Sequence, residues 1–187
     1  MTSYAKRDNA FERGDHVWRV GPDALVWFRP DGSSVTTLWR DISAVRLAYA
    51  PTRFKPERHL IELRTRQGRR LIIDNIHFRG VGVFETRSQA YSAFARAVLD
   101  QVAAHAPDAQ AWLGASSAAY GMQLAAMVAG LWLAAVVLIG LPTPLGPLLL
   151  VKLGLIAVAL PVAILWAVRA RPRRAPLDPE VLARALP

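Results

Sequence analysis

The side chains with catalytic or metal-binding chemistry are scattered along this chain. Four histidines, His16, His59, His77 and His105, lack ligand spacing of the His-Glu-x-x-His kind, in which two imidazoles one helical turn apart hold zinc. The chain has no cysteine, which excludes disulfide scaffolds, Cys-based zinc sites, iron–sulfur clusters and thiol nucleophiles. Asp41 and Asp74 read as turn or strand-end residues and not as an acid–base pair. Ser116 and Ser117 have no base nearby in sequence, and Gly80-Val81-Gly82 lacks the remaining glycine and the helix start of a dinucleotide fingerprint. These residues predict no enzyme, no bound metal and no cofactor.

Basic side chains carry more information. Lysine and arginine total 23 against 14 acidic residues, a net charge of +9, which suits an anionic partner. Arg53, Lys55 and Arg58 fall in one expected loop with only Glu57 opposing them, and Arg64, Arg66, Arg69 and Arg70 crowd the next hairpin. Near a bilayer each such residue gains about 1 kcal/mol from anionic headgroups. Arg53, Lys55, Arg58, Arg66, Arg69 and Arg70 are therefore candidate lipid contacts, set against the plainer reading of an ordinary hairpin with arginines on its water side. Nucleic acid is a poorer fit. Residues 1–110 hold 17 basic and 12 acidic groups, a net of +5, without one dense stripe.

The reason to expect a bilayer is the distribution of apolar residues, which make up 53% of the 187. Ala118 to Leu141 is a run of 24 without a charge, and Leu145 to Val168 is a second run of 24 whose only charge is Lys152. About 20 helical residues cross a hydrocarbon core about 30 Å thick, so both runs are long enough to span. The rest of the chain is too small to bury them as a soluble hairpin. Lys152 is an intramembrane charge, either snorkelling to the outer headgroups or serving a pathway or subunit contact. Small residues at four-residue spacing (Gly121, Ala125, Ala129) permit close helix contact. Arg169, Arg171, Arg173 and Arg174 follow the second run, whereas the connection Pro142 to Gly146 is uncharged. The positive-inside tendency then places both termini in the cytoplasm, with the four arginines setting topology and touching anionic lipid. The first 15 residues mix charges and contain no apolar stretch of the signal-peptide kind, so residues 1 to about 110 are expected to stay where they were made.

Residues 16 to 85 read as short strands separated by turns: His16–Val20, Ala24–Arg29, Ser34–Trp39, Ile42–Tyr49, His59–Thr65, Arg69–Asp74 and a seventh between Ile76 and Glu85. Val45, Leu47 and Tyr49 are expected on one face; Ile61 and Leu63 alternate with Glu62 and Arg64, which are expected to face water. Thr86-Arg87-Ser88-Gln89 has capping-box spacing. Tyr91, Phe94, Ala95, Val98 and Val102 follow at helical spacing until Pro107. Asp178-Pro179-Glu180 has the chemistry of another helix start, after which Val181, Leu182 and Leu186 are placed to dock on the membrane or on the β-rich domain.

Seven antiparallel strands followed by one amphipathic helix is the order of the pleckstrin-homology (PH) superfold. Trp39-Arg40-Asp41-Ile42-Ser43-Ala44-Val45 resembles the Trp-x-Asp-Ile-x-x-Val element of bacterial PH-like domains fused to membrane spans, a packing signature and not a site. The resemblance implies an α+β chain: a seven-stranded PH-like antiparallel roll with a C-terminal amphipathic helix, then a transmembrane hairpin. The divisions are an N-terminal arm 1–15, PH-like domain 16–104, linker 105–117, transmembrane helices 118–141 and 145–168, and a basic, Pro-rich cytoplasmic tail 169–187. The plan is similar to that of small bacterial membrane proteins, and twenty arginines against three lysines suit a GC-rich bacterial source. The basic signature of eukaryotic PH domains lies in the first hairpin, and here Val20 to Ala24 holds no Lys or Arg. The expected role is a membrane-anchored binding or adaptor protein at the cytoplasmic face of the inner membrane, with a protein partner or its own copies. An accessory subunit of a transporter or other membrane complex is the alternative.

Overall fold

Alternation builds the first sheet. In β2 (His16–Val20), Trp18 and Val20 turn into the core while Arg19 faces out, the period-2 pattern of a half-buried strand. β2 is followed by β3 (Ala24–Phe28) and β4 (Ser34–Leu38) and preceded by β1 (Thr2–Lys6), in the antiparallel order β1-β2-β3-β4. The coordinates are a computed structural model describing residues 2–140, 154, 157–165, 167–168 and 171–187. Its class is α+β.

Trp39 begins a 3-10 turn (Trp39–Asp41) that carries the chain into the second sheet. Its ring is wholly buried, its indole N–H donates to the Gly21 carbonyl at 3.0 Å, and Ile42 and Val45 join it in the core. The expected packing signature therefore packs. β5 (Ile42–Tyr49), β6 (His59–Thr65) and β7 (Arg70–Asp74) form a meander, with Gly68 at φ 81° in the tight β6–β7 turn that a side chain would strain. The expected seventh strand is instead a separate hairpin, β8 (Ile76–Gly80) and β9 (Val83–Thr86), because Gly82 at φ 73° reverses the chain.

Helix α1 (Ser88–His105) buries Tyr91, Phe94, Ala95, Val98, Leu99 and Val102 against Tyr4, Trp18 and the second sheet's inner face. Its expected capping box is absent: Arg87 is the N-cap and no side chain caps the helix. Thr86 is committed to the β9 ladder opposite Ile76, one residue too early to cap.

Two strands come from segments that sequence assigned to the linker and the tail. β10 (Gln110–Leu113) lies parallel to β5, and β11 (Arg173–Ala175) lies antiparallel to β10, giving the order β11-β10-β5-β6-β7. Beyond β11, Asp178 Oδ1 accepts the Glu180 amide at 2.9 Å and starts the expected short helix, α3 (Pro179–Ala183). Leu182, 1% exposed, completes the core beside α1. The first compact unit is thus Met1–Gly114 with Arg173–Pro187, broader at both ends than the stretch 16–104.

Ala115–Pro172 forms a separate unit. Ser116 Oγ accepts the Ala119 amide at 3.2 Å, the bond of a helix cap, and α2 runs Ser117–Gly140. Its stretch Ser117–Val136 is long and apolar enough to cross a membrane, and none of its most apolar window is buried. Residues 157–165 are also helical, and Tyr120 Oη donates to the Ala167 carbonyl at 3.1 Å. Lys152, Arg169, the Pro142–Gly146 connection and half of the expected second span lie outside the described residues.

Candidate functional site

The six candidate lipid contacts fall into two groups. Arg53, Lys55 and Arg58 sit in the loop joining β5 to β6; Arg66, Arg69 and Arg70 sit around the β6–β7 turn. β6 separates them by seven residues, about 20 Å of extended chain, so one flat surface does not collect all six.

Ion pairing divides them further. Glu62, expected to face water, is 4% exposed because arginines roof it: Arg46 Nε donates to its Oε2 at 2.8 Å, and Arg70 holds Oε1. Burial alone raises the Glu62 carboxyl, but hydrogen bonds from Arg70 and Arg46 outweigh it and hold the group below the ordinary glutamate range. Arg70 is thus a structural partner. So is Arg58, whose Nε lies 2.6 Å from Asp74 Oδ2. Asp74 also receives Lys6 Nζ at 2.5 Å, and Tyr4 Oη donates to its backbone carbonyl at 2.9 Å. Burial raises the Asp74 carboxyl as well; Lys6 and then Arg58 overcome that and lower it. Lys6, in the expected N-terminal arm, is 3% exposed, a buried charge with a buried partner.

Arg53 and Lys55 rest on aromatic rings instead. Arg53 Cζ is 5.8 Å from the Phe54 ring, and Lys55 Nζ is 4.7 Å above Phe84 of β9, which brings the β5–β6 loop against the β8–β9 hairpin. Arg66 Nε donates weakly to the Arg40 carbonyl at 3.3 Å, and Arg69 is exposed. Of the four tail arginines, Arg171 is exposed, Arg173 and Arg174 lie in β11, and Arg174 Cζ sits 5.0 Å over the Trp112 ring of β10.

One cluster has metal-ligand composition that sequence reasoning passed over: Asp8, Glu12 and His16, with ligand atoms all within 4.8 Å of one another. Four-residue spacing was the available signal. Two contacts close it to a cation. Lys6 Nζ already lies 2.5 Å from Asp8 Oδ1. The Trp27 indole N–H donates to His16 Nδ1 at 3.1 Å, so neutral His16 carries its proton on Nε2, facing Glu12 Oε1 at 3.1 Å. Nε2 is then a donor and has no lone pair to offer a metal. The remaining imidazoles are in structural positions: His77 Nδ1 accepts the Arg7 amide at 3.0 Å, His59 begins β6, and His105 ends α1.

The first unit sorts its charges into buried pairs and surface residues. Its best-buried carboxylates, Asp74 and Glu62, are held as anions in ion pairs, whereas Arg53, Phe54, Lys55 and Val81 stand at or near the surface of two touching loops. No protein family, curated protein or solved structure matches the chain.

Proposed function

We propose that the chain is a bacterial membrane-anchored binding or adaptor protein: a PH-like roll held at the cytoplasmic face of the inner membrane by a transmembrane helical hairpin. The observation that carries this reading is the pairing of Leu113 in β10 with Arg173 in β11. Two residues on neighbouring strands stand on one side of any bilayer, so the 59 residues between them cross it an even number of times. For a segment that enters the bilayer, two spans of about 40 residues fit within that length and four of about 80 do not, which supports a hairpin. Along α2, the large apolar side chains Met122, Val128, Trp132 and Leu133 are exposed on one broad side of the helix, an arrangement costly in water and favourable in hydrocarbon. The Tyr120–Ala167 hydrogen bond supports a helix leaving beside a chain that returns.

The PH-like reading is supported by a revised strand order. β1 to β7 are seven antiparallel strands in two meanders, and α1 follows after the β8–β9 hairpin. Arg171, Arg173 and Arg174, just past the apolar segment, favour the cytoplasmic side.

Because the chain has no cysteine, single Asp108→Cys and Arg184→Cys variants test the topology cleanly. A membrane-impermeant thiol reagent should label both in inverted vesicles and neither in intact cells. Labelling of the two positions from opposite sides overturns the hairpin. Crosslinking in cells, followed by purification in mild detergent, should return a protein partner or a second copy; repeated recovery of a bare monomer overturns the adaptor role.

A further inference from the structure

The parallel β10–β5 pair gives the sheet a direction. Gln110 pairs with Ala44 and Leu113 with Leu47, and the Gly114 amide donates to the Leu47 carbonyl at 2.9 Å. The chain therefore leaves for the apolar segment at the end of β5 from which the β5–β6 loop also emerges. The β6–β7 turn with Arg66 and Arg69 lies at the other end of the same sheet, opposite Ile42. At the exit end, Phe54 is 68% exposed, and the β8–β9 tip adds Val81 at 92% and Val83 at 57%. Among the described residues, Arg53 and Lys55 pair with no carboxylate; both rest on aromatic rings.

We propose that the β5–β6 loop and the β8–β9 tip form a docking surface for an anionic phospholipid bilayer, with Phe54 and Val81 entering the interface and Arg53 and Lys55 meeting lipid phosphates. The inference rests on the membrane hairpin proposed above. It commits to a bilayer for two reasons. Exposed apolar tips flanked by unpaired cations complement a surface that is apolar beneath a layer of negative charge. The chain, in turn, leaves for the apolar segment after Leu113 and returns from it at Arg173, both at that end of the sheet. The Arg53 guanidinium and the Lys55 ammonium lie over aromatic rings, with no carboxylate competing for either.

The full chain, reconstituted in vesicles of phosphatidylcholine alone or with phosphatidylglycerol, provides the test. Single cysteines at Phe54, Val81, Gln67 and Trp132 carry an environment-sensitive fluorophore, and brominated acyl chains report depth. Labels at 54 and 81 should shift to the blue and be quenched with phosphatidylglycerol present, and several-fold less in phosphatidylcholine. The label at 67, in the β6–β7 turn, should stay in water. With the label at 81, the R53E/K55E variant should lose most of the quenching while its circular dichroism is retained. If the label at 132 reports lipid but those at 54 and 81 report water in both compositions, the docking surface is wrong and the span stands. A label at 132 in water overturns the span and this surface together. Equal quenching at 54 and 67 overturns the directional argument.

Discussion

Leu113 and Arg173, sixty positions apart in the chain, are neighbours across the β10–β11 ladder. This pairing makes the apolar segment an insertion into a single folded unit and not an appendage after it. The unit is finished only when the returning chain supplies β11 and Leu182.

Leu182 connects that return to stability. It is 1% exposed and packs among α1 side chains at the far end of the chain. Leu182→Ala should cost about 2–5 kcal/mol, the range for a large-to-small change in a core. Thermal melts of the full chain in detergent, with proteolysis of the tail, check this. A tail that is cleaved no faster and a melting temperature that does not move would contradict the packing.

Glu62 should be intolerant of single changes and tolerant of a paired one. Glu62→Gln leaves Arg46, with its side chain 14% exposed, facing a neutral partner, and loses about 3 kcal/mol or more. The double variant R46M/E62M removes both buried charges and should recover a large part of that loss, because desolvating the pair offsets much of its attraction. Denaturant melts of the two variants and the parent measure the difference.

Acid should unfold the β-rich unit in two stages. His59 and His77 both titrate below the ordinary histidine value, first because burial disfavours the cation; for His77 the neighbouring Arg87 adds to it. The unfolded chain then takes up protons first, so stability present above about pH 6.5 falls as pH drops through the depressed folded values. Asp74 and Glu62 are also depressed, so their contribution persists above about pH 4 and is lost as pH falls through their folded values. Lys6→Met should weaken the second stage while itself costing about 3–5 kcal/mol, since it leaves Asp74 buried with only Arg58. Melting temperature against pH, measured for the parent and Lys6→Met, separates the stages.

Tyr91 offers the opposite sign. Its ring is fully buried and its hydroxyl meets no hydrogen-bond partner among the described residues. An unsatisfied buried hydroxyl costs about 1–3 kcal/mol, so Tyr91→Phe should raise the melting temperature. A fall would show that the hydroxyl is satisfied.

Local pattern made part of this structure legible. β2, β5 and β6 match the expected strands at both ends, and α1 buries all five residues expected at its apolar positions, because each carries its own alternation or helical period. β1, β10 and β11 were not legible. Each is five residues or fewer, and the ladder partners of β10 and β11 lie about 60 or more positions away. Lys6 looked like a solvated arm residue because its counterion, Asp74, is 68 positions away. Glu62 alternates as a water-facing residue would; only the sheet shows that Arg46 and Arg70 cover it. Arg58 and Arg70 looked like free surface charge for the same reason. In each case the sequence carries the residue type, and the long-range contact decides what it does.

A disulfide across the β10–β11 ladder tests the central relationship most directly. Ala111 and Ala175 are register partners, and antiparallel partners lie about 4.5–5.5 Å apart at Cα, within disulfide range. In the otherwise cysteine-free chain, A111C/A175C should oxidise to a bridge that keeps the two halves joined after cleavage at a protease site inserted in the Pro142 to Gly146 connection. The offset pair A111C/R174C places its thiols on opposite faces and should separate after the same cleavage. Halves that fall apart in both variants, or stay joined equally in both, would contradict the return of the chain to its point of departure.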